Sequence, residues 1–459
     1  MGVFLATIDA SIVNVALPTL VRSFDTQFAV VQWVPLAYML TLATLILSMG
    51  RLGDVRGKKR VYLTGMVVFT AGSTLCGLAP TVYWLILFRV LQGIGASMMA
   101  ALGAAIVTEA FPATERGKAL GTIGGIVSIG IMTGPVLGGL LIDAVSWHWI
   151  FFVNIPVGVV GTLMVLRVVP MIEPAAGQRF DIVGAGLLFV GVLCFLLALT
   201  LGQTLGFGAS RIVLLFTGSV VALALFGYAE LSCPAPMVNL RIFGHGALSV
   251  GLVSGFLAFV ATAGVVLLMP FYLENVLGYS PHQVGVLLAV VPVSAGLVSP
   301  VAGTLSDRFG TRSITTLGLA VMLTGYLSLT TLHADTTALG YVARFFPVGL
   351  GIGIFQSPNN SAIMGAASRH ELGIVSGLLS ITRTLGQTSG IAVVGALWAA
   401  RVSRYSGVDF TMGPTRSHTQ AQVLGLHDAL SASVLVVALG LAMNLGGLVL
   451  RRLRREHRG

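Results

Sequence analysis

The sequence predicts an all-α, polytopic membrane protein with fourteen spans, and three observations carry that prediction. Of its 459 residues 56% are hydrophobic and only 9% charged, with a mean hydropathy of +0.94, more apolar surface than a water-soluble chain can cover. The apolar residues fall in runs of about 20, the length that crosses a bilayer. The cations gather in alternate connections between those runs, so the formal charge of +10 reads as membrane topology and excludes a nucleic-acid partner.

In order, the spans run over 3–21, 29–49, 61–79, 83–106, 118–141, 149–169, 182–202, 211–230, 247–271, 283–302, 314–332, 338–362, 374–400 and 429–450. The even-to-odd connections and the C-terminus hold eighteen Lys and Arg, the opposite side five; Arg89, Arg344 and Arg383 lie inside spans. Both termini are therefore expected in the cytoplasm, with the chain in a plasma membrane. A loop following span 2, Gly50 to Lys59, recurs after span 10 as Gly303 to Arg312; both read G-x-L-x-D-x-x-G-x-[KR], at a constant offset of 253. Two six-helix halves would put the second copy after span 8. Two further spans, 182–202 and 211–230, are thus inserted, giving a first half over 1–170, an insert over 171–240 and a second half over 241–459. The longest connection, about 401–428, reads as an external loop.

Span 1 carries Asp9 inside LATIDASIVNVALP. A charge at the bilayer centre costs about 3 kcal/mol on insertion scales, so this carboxyl must face the interior, be paired or be protonated. Burial favours the neutral acid and a nearby cation the carboxylate, which is the tuning a proton carrier needs. Asn14 follows at i+5. Only eight residues precede Asp9, fewer than a span with an acid at mid-depth carries, so the natural start is expected upstream. In span 4, Arg89 stays charged in any environment and cannot itself carry a proton; it either sets the behaviour of a carboxylate or snorkels to a membrane surface.

The loop Gly50 to Arg60 places one carboxylate among five cations. Asp54 can accept from a helix N-terminus or pair with Arg56 or a cation of the other half, closing one face by contacts that a rearrangement breaks; the cations can equally serve topology alone. Gly57 belongs to this pattern, as do Asp307 and Arg308 to its second copy. In span 5, Gly130, Gly134 and Gly138 recur every four residues and line one helix face, a seam where another backbone can approach, and Pro135 bends the helix between them.

Glu274 ends the apolar run LLMPFYLENVLGYSP and is either a second protonatable group or a residue at the external surface. Gln356, Asn359 and Asn360 flank Pro358, where a helix break would turn amides toward a cavity. Arg383 and Gln387, four apart, share a face. Trp33, Tyr38 and Phe271 offer stacking walls or interfacial anchors.

Several of these segments resemble one family. The run GxxxGPxxGG, Gly130 to Gly139, resembles the antiporter motif of drug:proton exporters of the major facilitator superfamily. Asp9, Ile12, Val13, Asn14, Val15, Ala16, Leu17 and Pro18 match the first-helix motif LDxTIVNVALP of its fourteen-helix members, with Ser11 where they carry Thr. Arg89 with Gln92, Gly93 and Gly95 resembles the fourth-helix motif, the duplicated loop resembles the superfamily signature, and Trp147 to Gly158 resembles the fifth-to-sixth-helix signature. Glu274 departs from the pattern, standing where Gln is usual. The resemblance covers essentially the whole chain and implies the major facilitator fold and a proton-coupled antiporter exporting drugs or other amphipathic molecules by alternating access. A dedicated exporter of one metabolite, peptide or siderophore keeps the same fold. The resemblance further implies proton coupling by Asp9 and Arg89, a cavity with Asn14, Gln92, Gln356, Asn359 and Asn360, and gating by the loop and seam residues; Glu274 as a further proton site, and Trp33, Tyr38, Phe271, Arg383 and Gln387 as cavity residues, are expected from their own chemistry and spacing.

Other classes find no support. No GxxxxGK[ST] loop is present for ATP, so an ion gradient is the expected driving force and no cofactor is expected. The eight histidines are scattered without an HExxH pattern, and Cys76, Cys194 and Cys233 lack metal or disulfide spacing, so neither an enzyme nor a metal site is expected. No segment reads as a pore filter. The sequence is silent on a periplasmic adaptor.

Overall fold

The computed structural model describes residues 1–110, 116–169, 181–232, 243, 246–366, 372–407 and 418–456. Among them the regular elements are helical and no strand occurs. Contacts cluster into two units. The first spans Met1–Leu240 and takes in Tyr279–Val286; the second spans Arg241–Gly278 and nearly all of the chain from Leu287 onward.

In the first unit the helices are α1 (Gly2–Ser23), α2 (Phe28–Val31), α3 (Trp33–Arg56), α4 (Lys58–Gly77), α5 (Val82–Ala110), α6 (Arg116–Ala144), α7 (Trp149–Phe152), α8 (Asn154–Val168), α9 (Ile182–Leu205) and α10 (Ser210–Ser232). Helix α3 pairs with α5, α4 with α5, α1 with α6, and α9 with α10. In the second unit they are α11 (Gly246–Phe271), a π-helical turn (Tyr272–Val276), α13 (Val290–Phe309), α14 (Thr311–Leu329), α15 (Ala338–Gly365), α16 (Leu372–Ser406) and α17 (Thr419–Glu456), with α12 (Pro281–Leu288) straddling the division. Every predicted span falls on one of these helices or on a consecutive pair. Ten stretches among the described residues are long and apolar enough to cross a bilayer; the remaining predicted spans lie on α4, α6, α14 and α16.

The duplicated loop folds alike in both copies. Gly57 ends α3 with φ 94° and Gly310 ends α13 with φ 87°, a left-handed backbone that a side chain would strain. Each glycine lets the chain turn at once into the next helix. Close approach then packs that helix: a Cβ on Gly72 would come within 2.8 Å of Gln92 N in α5, and one on Gly325 within 2.6 Å of Val348 N in α15.

Two sequence expectations change. Pro358 does not break its helix, because α15 runs unbroken through it to Gly365; α15 tolerates the missing N–H as buried membrane helices do. The connection expected over 401–428 is shorter, since α16 continues to Ser406 and α17 begins at Thr419. Arg401 Nε lies 3.2 Å from Asp428 Oδ2, and Tyr405 donates to the same oxygen at 2.9 Å, tying the two helix ends together. Residues 408–417, like Cys233, lie outside the described residues.

Candidate functional site: a buried ion pair in the first unit

Asp9, in the second turn of α1, is wholly covered, and Arg89 of α5 is 1% exposed. Arg89 Nη1 donates to Asp9 Oδ2 at 2.6 Å and to Gln92 Oε1 at 2.7 Å, while its Nε donates to the Val34 carbonyl of α3 at 3.1 Å. The arginine does not snorkel. Its guanidinium lies 4.3 Å from the centroid of the Tyr38 ring and 5.9 Å from that of Phe151. The second carboxylate oxygen, Asp9 Oδ1, accepts from Gln92 Nε2 at 2.8 Å and from Asn154 Nδ2 at 3.0 Å. Asn154 also donates to Ser73 Oγ at 3.0 Å, and Ser73 donates to the Phe151 carbonyl at 2.9 Å.

Six elements thus converge on one carboxylate. A buried charge persists only where a partner and hydrogen bonds replace water, and Asp9 has one cation and two amides. Protonating it would remove the charge to which Arg89 is paired and turn an acceptor into a donor facing the same amides.

The glycine seam explains how α1 is held. Cβ atoms added to Gly130, Gly134 and Gly138 of α6 would meet Thr7, Ser11 and Ile12 of α1. Ser11 Oγ lies 3.0 Å from the Ile8 carbonyl and 3.3 Å from that of Gly130, donating across the seam. The seam therefore grips the helix that bears Asp9, with Pro135 inside α6.

The other expected site residues are placed as follows. Asn14 turns back on its own helix, donating to Ala10 O at 3.3 Å, and takes no part in the network. Tyr38 is buried beneath Arg89, and Trp33, at the start of α3, is half-buried. Asp54 pairs with Lys58 at 3.4 Å and not with Arg56, which is exposed. In the second unit Phe271 is 1% exposed, its ring 5.7 Å from Trp398. Glu274 sits in the π turn, buried within the second unit at 1% exposure. Asn359 is buried and donates to the Gly251 carbonyl at 3.1 Å; Gln356 and Gln387 are half-buried, while Asn360, Arg383, Asp307 and Arg308 are exposed. Ser73, Phe151 and Asn154 escaped sequence reasoning as members of the network. Asn154 was conspicuous in the motif Trp147 to Gly158, but nothing in its spacing pointed at Asp9.

The sequence model of the Major Facilitator Superfamily matches residues 1–391. The chain belongs to this superfamily. Among curated members it is 32% identical to the riboflavin transporter RibZ of Clostridioides difficile, over 97% of this chain and 95% of that one. It is 33% identical to the multidrug resistance protein Stp of Mycobacterium tuberculosis, over 100% and 84%, and 30% identical to the multidrug transporter protein MdtP of Bacillus subtilis, over 87% and 74%. Two solved structures share the fold. A bacterial homologue of the lysosomal transporter Spinster has a TM-score of 0.64 at 19% identity, over 96% of this chain and 94% of that one; the human organic anion transporter MFSD10 has 0.65 at 14%, over 96% and 98%. The chain is therefore a multi-pass membrane transporter of the major facilitator fold, and not an enzyme.

Proposed function

We propose that this transporter is a proton-driven exporter of drug-like, amphipathic small molecules, of the fourteen-helix drug:proton antiporter kind, in the bacterial cytoplasmic membrane with both termini inside. The observation that carries the reading is the fully buried carboxylate of Asp9, held by Arg89, Gln92 and Asn154. A proton arriving from outside neutralises Asp9, loosens its hold on Arg89 and releases cargo; discharge of that proton to the cytoplasm restores the pair, and downhill proton entry turns an alternating-access cycle. Motion of α1 against α6 along the Gly130–Gly138 seam couples the site to that cycle, with the Asp54 and Asp307 loops as the conformational contacts. Glu274, buried in a π turn, is a second protonatable group; π turns inside helices recur at functional sites. Neither ATP nor a cofactor is required.

The similarity to multidrug proteins Stp and MdtP supports the cargo class. The similarity to RibZ favours a second reading, a transporter dedicated to one metabolite. Ethidium efflux from everted vesicles, with and without a pH gradient, separates them. Gradient-dependent efflux that Asp9→Asn abolishes is expected. Absence of ethidium transport by the wild type would move the assignment to the dedicated transporter, and undiminished transport by Asp9→Asn would remove Asp9 as the proton carrier.

A further inference from the structure

Five cations crowd the loop Gly50 to Arg60, and the structure separates them by their partners. Lys58 pairs with Asp54 at 3.4 Å. Lys59 Nζ donates to the carbonyls of Leu166 and Val169, at 2.9 and 2.5 Å, a cation at the C-terminal end of α8 where the helix dipole favours one. Arg51 is engaged as well. Arg56 and Arg60 differ: both are exposed, and among the described residues neither guanidinium has an ion-pair or hydrogen-bond partner.

The left-handed turn at Gly57 brings these two arginines, from the end of α3 and the start of α4, onto one cavity of about 560 Å³. The rest of its wall is Leu52, Val55 and Val61 with Met98 of α5, plus Thr64, whose hydroxyl donates to the Arg60 carbonyl at 3.0 Å. Among the described residues no carboxylate lines it. The volume lies within the range of about 300–1,000 Å³ usual for small-molecule sites. Two cationic forks over an apolar floor match a molecule that is anionic at one end and hydrocarbon at the other. A soluble phosphate would leave the floor unfilled, and a zwitterionic lipid would leave net positive charge uncompensated.

We propose that this groove binds an anionic phospholipid, its phosphodiester bridging Arg56 and Arg60 and the first methylenes of its chains lying on Leu52, Val55, Val61 and Met98. Guanidinium forks hold phosphate oxygens in pairs, and basic pockets between membrane helices take anionic headgroups in this way. The bound lipid would staple α3 to α4 across the Gly57 turn. The inference rests on the chain being a membrane protein, which its family establishes, and not on its cargo or on proton coupling.

Native mass spectrometry of the detergent-purified full chain tests it, with dioleoyl phosphatidylglycerol, dioleoyl phosphatidylcholine and glycerol 3-phosphate as probes. One phosphatidylglycerol per chain should survive activation that strips phosphatidylcholine. The double variant Arg56→Gln/Arg60→Gln should weaken phosphatidylglycerol binding about 25-fold, two surface charges each contributing about fivefold, with phosphatidylcholine adducts unchanged, whereas Arg56→Lys/Arg60→Lys should keep the preference. If the double Gln variant does not purify monodisperse, Arg60→Gln alone carries the comparison at about fivefold. Equal retention of both lipids by the wild type, wild-type phosphatidylglycerol binding by the Gln variants, or displacement of the lipid by equimolar glycerol 3-phosphate would each overturn the proposal, the last by making the groove a soluble-phosphate site.

Discussion

Gly57 and Gly310 stand 253 residues apart and share one left-handed turn; Asp9 and Thr262 stand at the same offset and share nothing chemically. Thr262 donates to its own helix at Ala258 O, 2.8 Å away. The arginines diverge too. Arg89 and Arg344 each lie in the second turn of a helix, α5 and α15, but Arg344 is only half-buried and donates to Thr331 Oγ1 at 2.9 Å and to Gly340 O at 3.0 Å. Elsewhere in the second unit, buried amides donate to neutral acceptors: Asn444 to Ser254 Oγ at 2.6 Å and Asn359 to Gly251 O. The glycine turn recurs in both units, whereas at these positions a buried ion pair is found in the first and not the second. A threonine hydroxyl does not change charge with pH as a carboxyl does, so a proton can act at Asp9 and not at Thr262.

The largest test of that asymmetry is Asp9→Asn. It leaves Arg89 buried without a counter-charge, a change that costs about 3–5 kcal/mol in buried pairs, and gradient-driven efflux in everted vesicles should fall to the level seen without a gradient, while Thr262→Val should leave efflux near wild type. Next comes Gly134→Leu, which drives a side chain into Ser11 and Ile12. Overpacking of this kind costs about 1–3 kcal/mol, so the variant should melt lower in detergent and transport poorly; unchanged values would mean that the seam is not tight.

Arg89→Lys follows. It retains charge but loses the fork that reaches Asp9, Gln92 and Val34 together, at about 1.5–3 kcal/mol for a hydrogen bond to a charged group. Transport should become less steeply dependent on the pH gradient, whereas Arg344→Lys should alter neither transport nor melting. The smallest effect, and the one that should be equal in both units, is Gly57→Ala against Gly310→Ala. Each forces an alanine into a left-handed turn at about 1–2 kcal/mol, read as matching decreases in melting temperature. Unequal decreases would show that the two loops differ in more than their sequence.

How much was legible beforehand follows the range of the interaction. The apolar runs announced the helices because a bilayer demands internally satisfied backbone over a fixed length. The repeated loop announced a repeated turn because glycine at a tight helix junction is a local requirement. The seam in α6 was readable as a surface, since a four-residue period places glycines on one face, but its partner was not. The ends of α16 and α17 were misjudged because polar residues that pair across helices, Arg401 with Asp428, read locally as loop. Pro358 misled for a related reason, its missing N–H being tolerated within a packed bundle.

By itself, then, the sequence determined the helices, their membrane length, the duplicated turn and the presence of Asp9 and Arg89 within apolar spans, leaving Arg89 between a partnered and a snorkelling role. Only the tertiary structure decided that Asp9 and Arg89 meet at 2.6 Å, that Asn154 and Ser73 complete the carboxylate's surroundings from 145 and 64 residues away along the chain, and that the glycine face of α6 closes on α1. Those are contacts between helices distant in sequence, and periodicity within a helix fixes which face a residue occupies but not which other helix that face will meet.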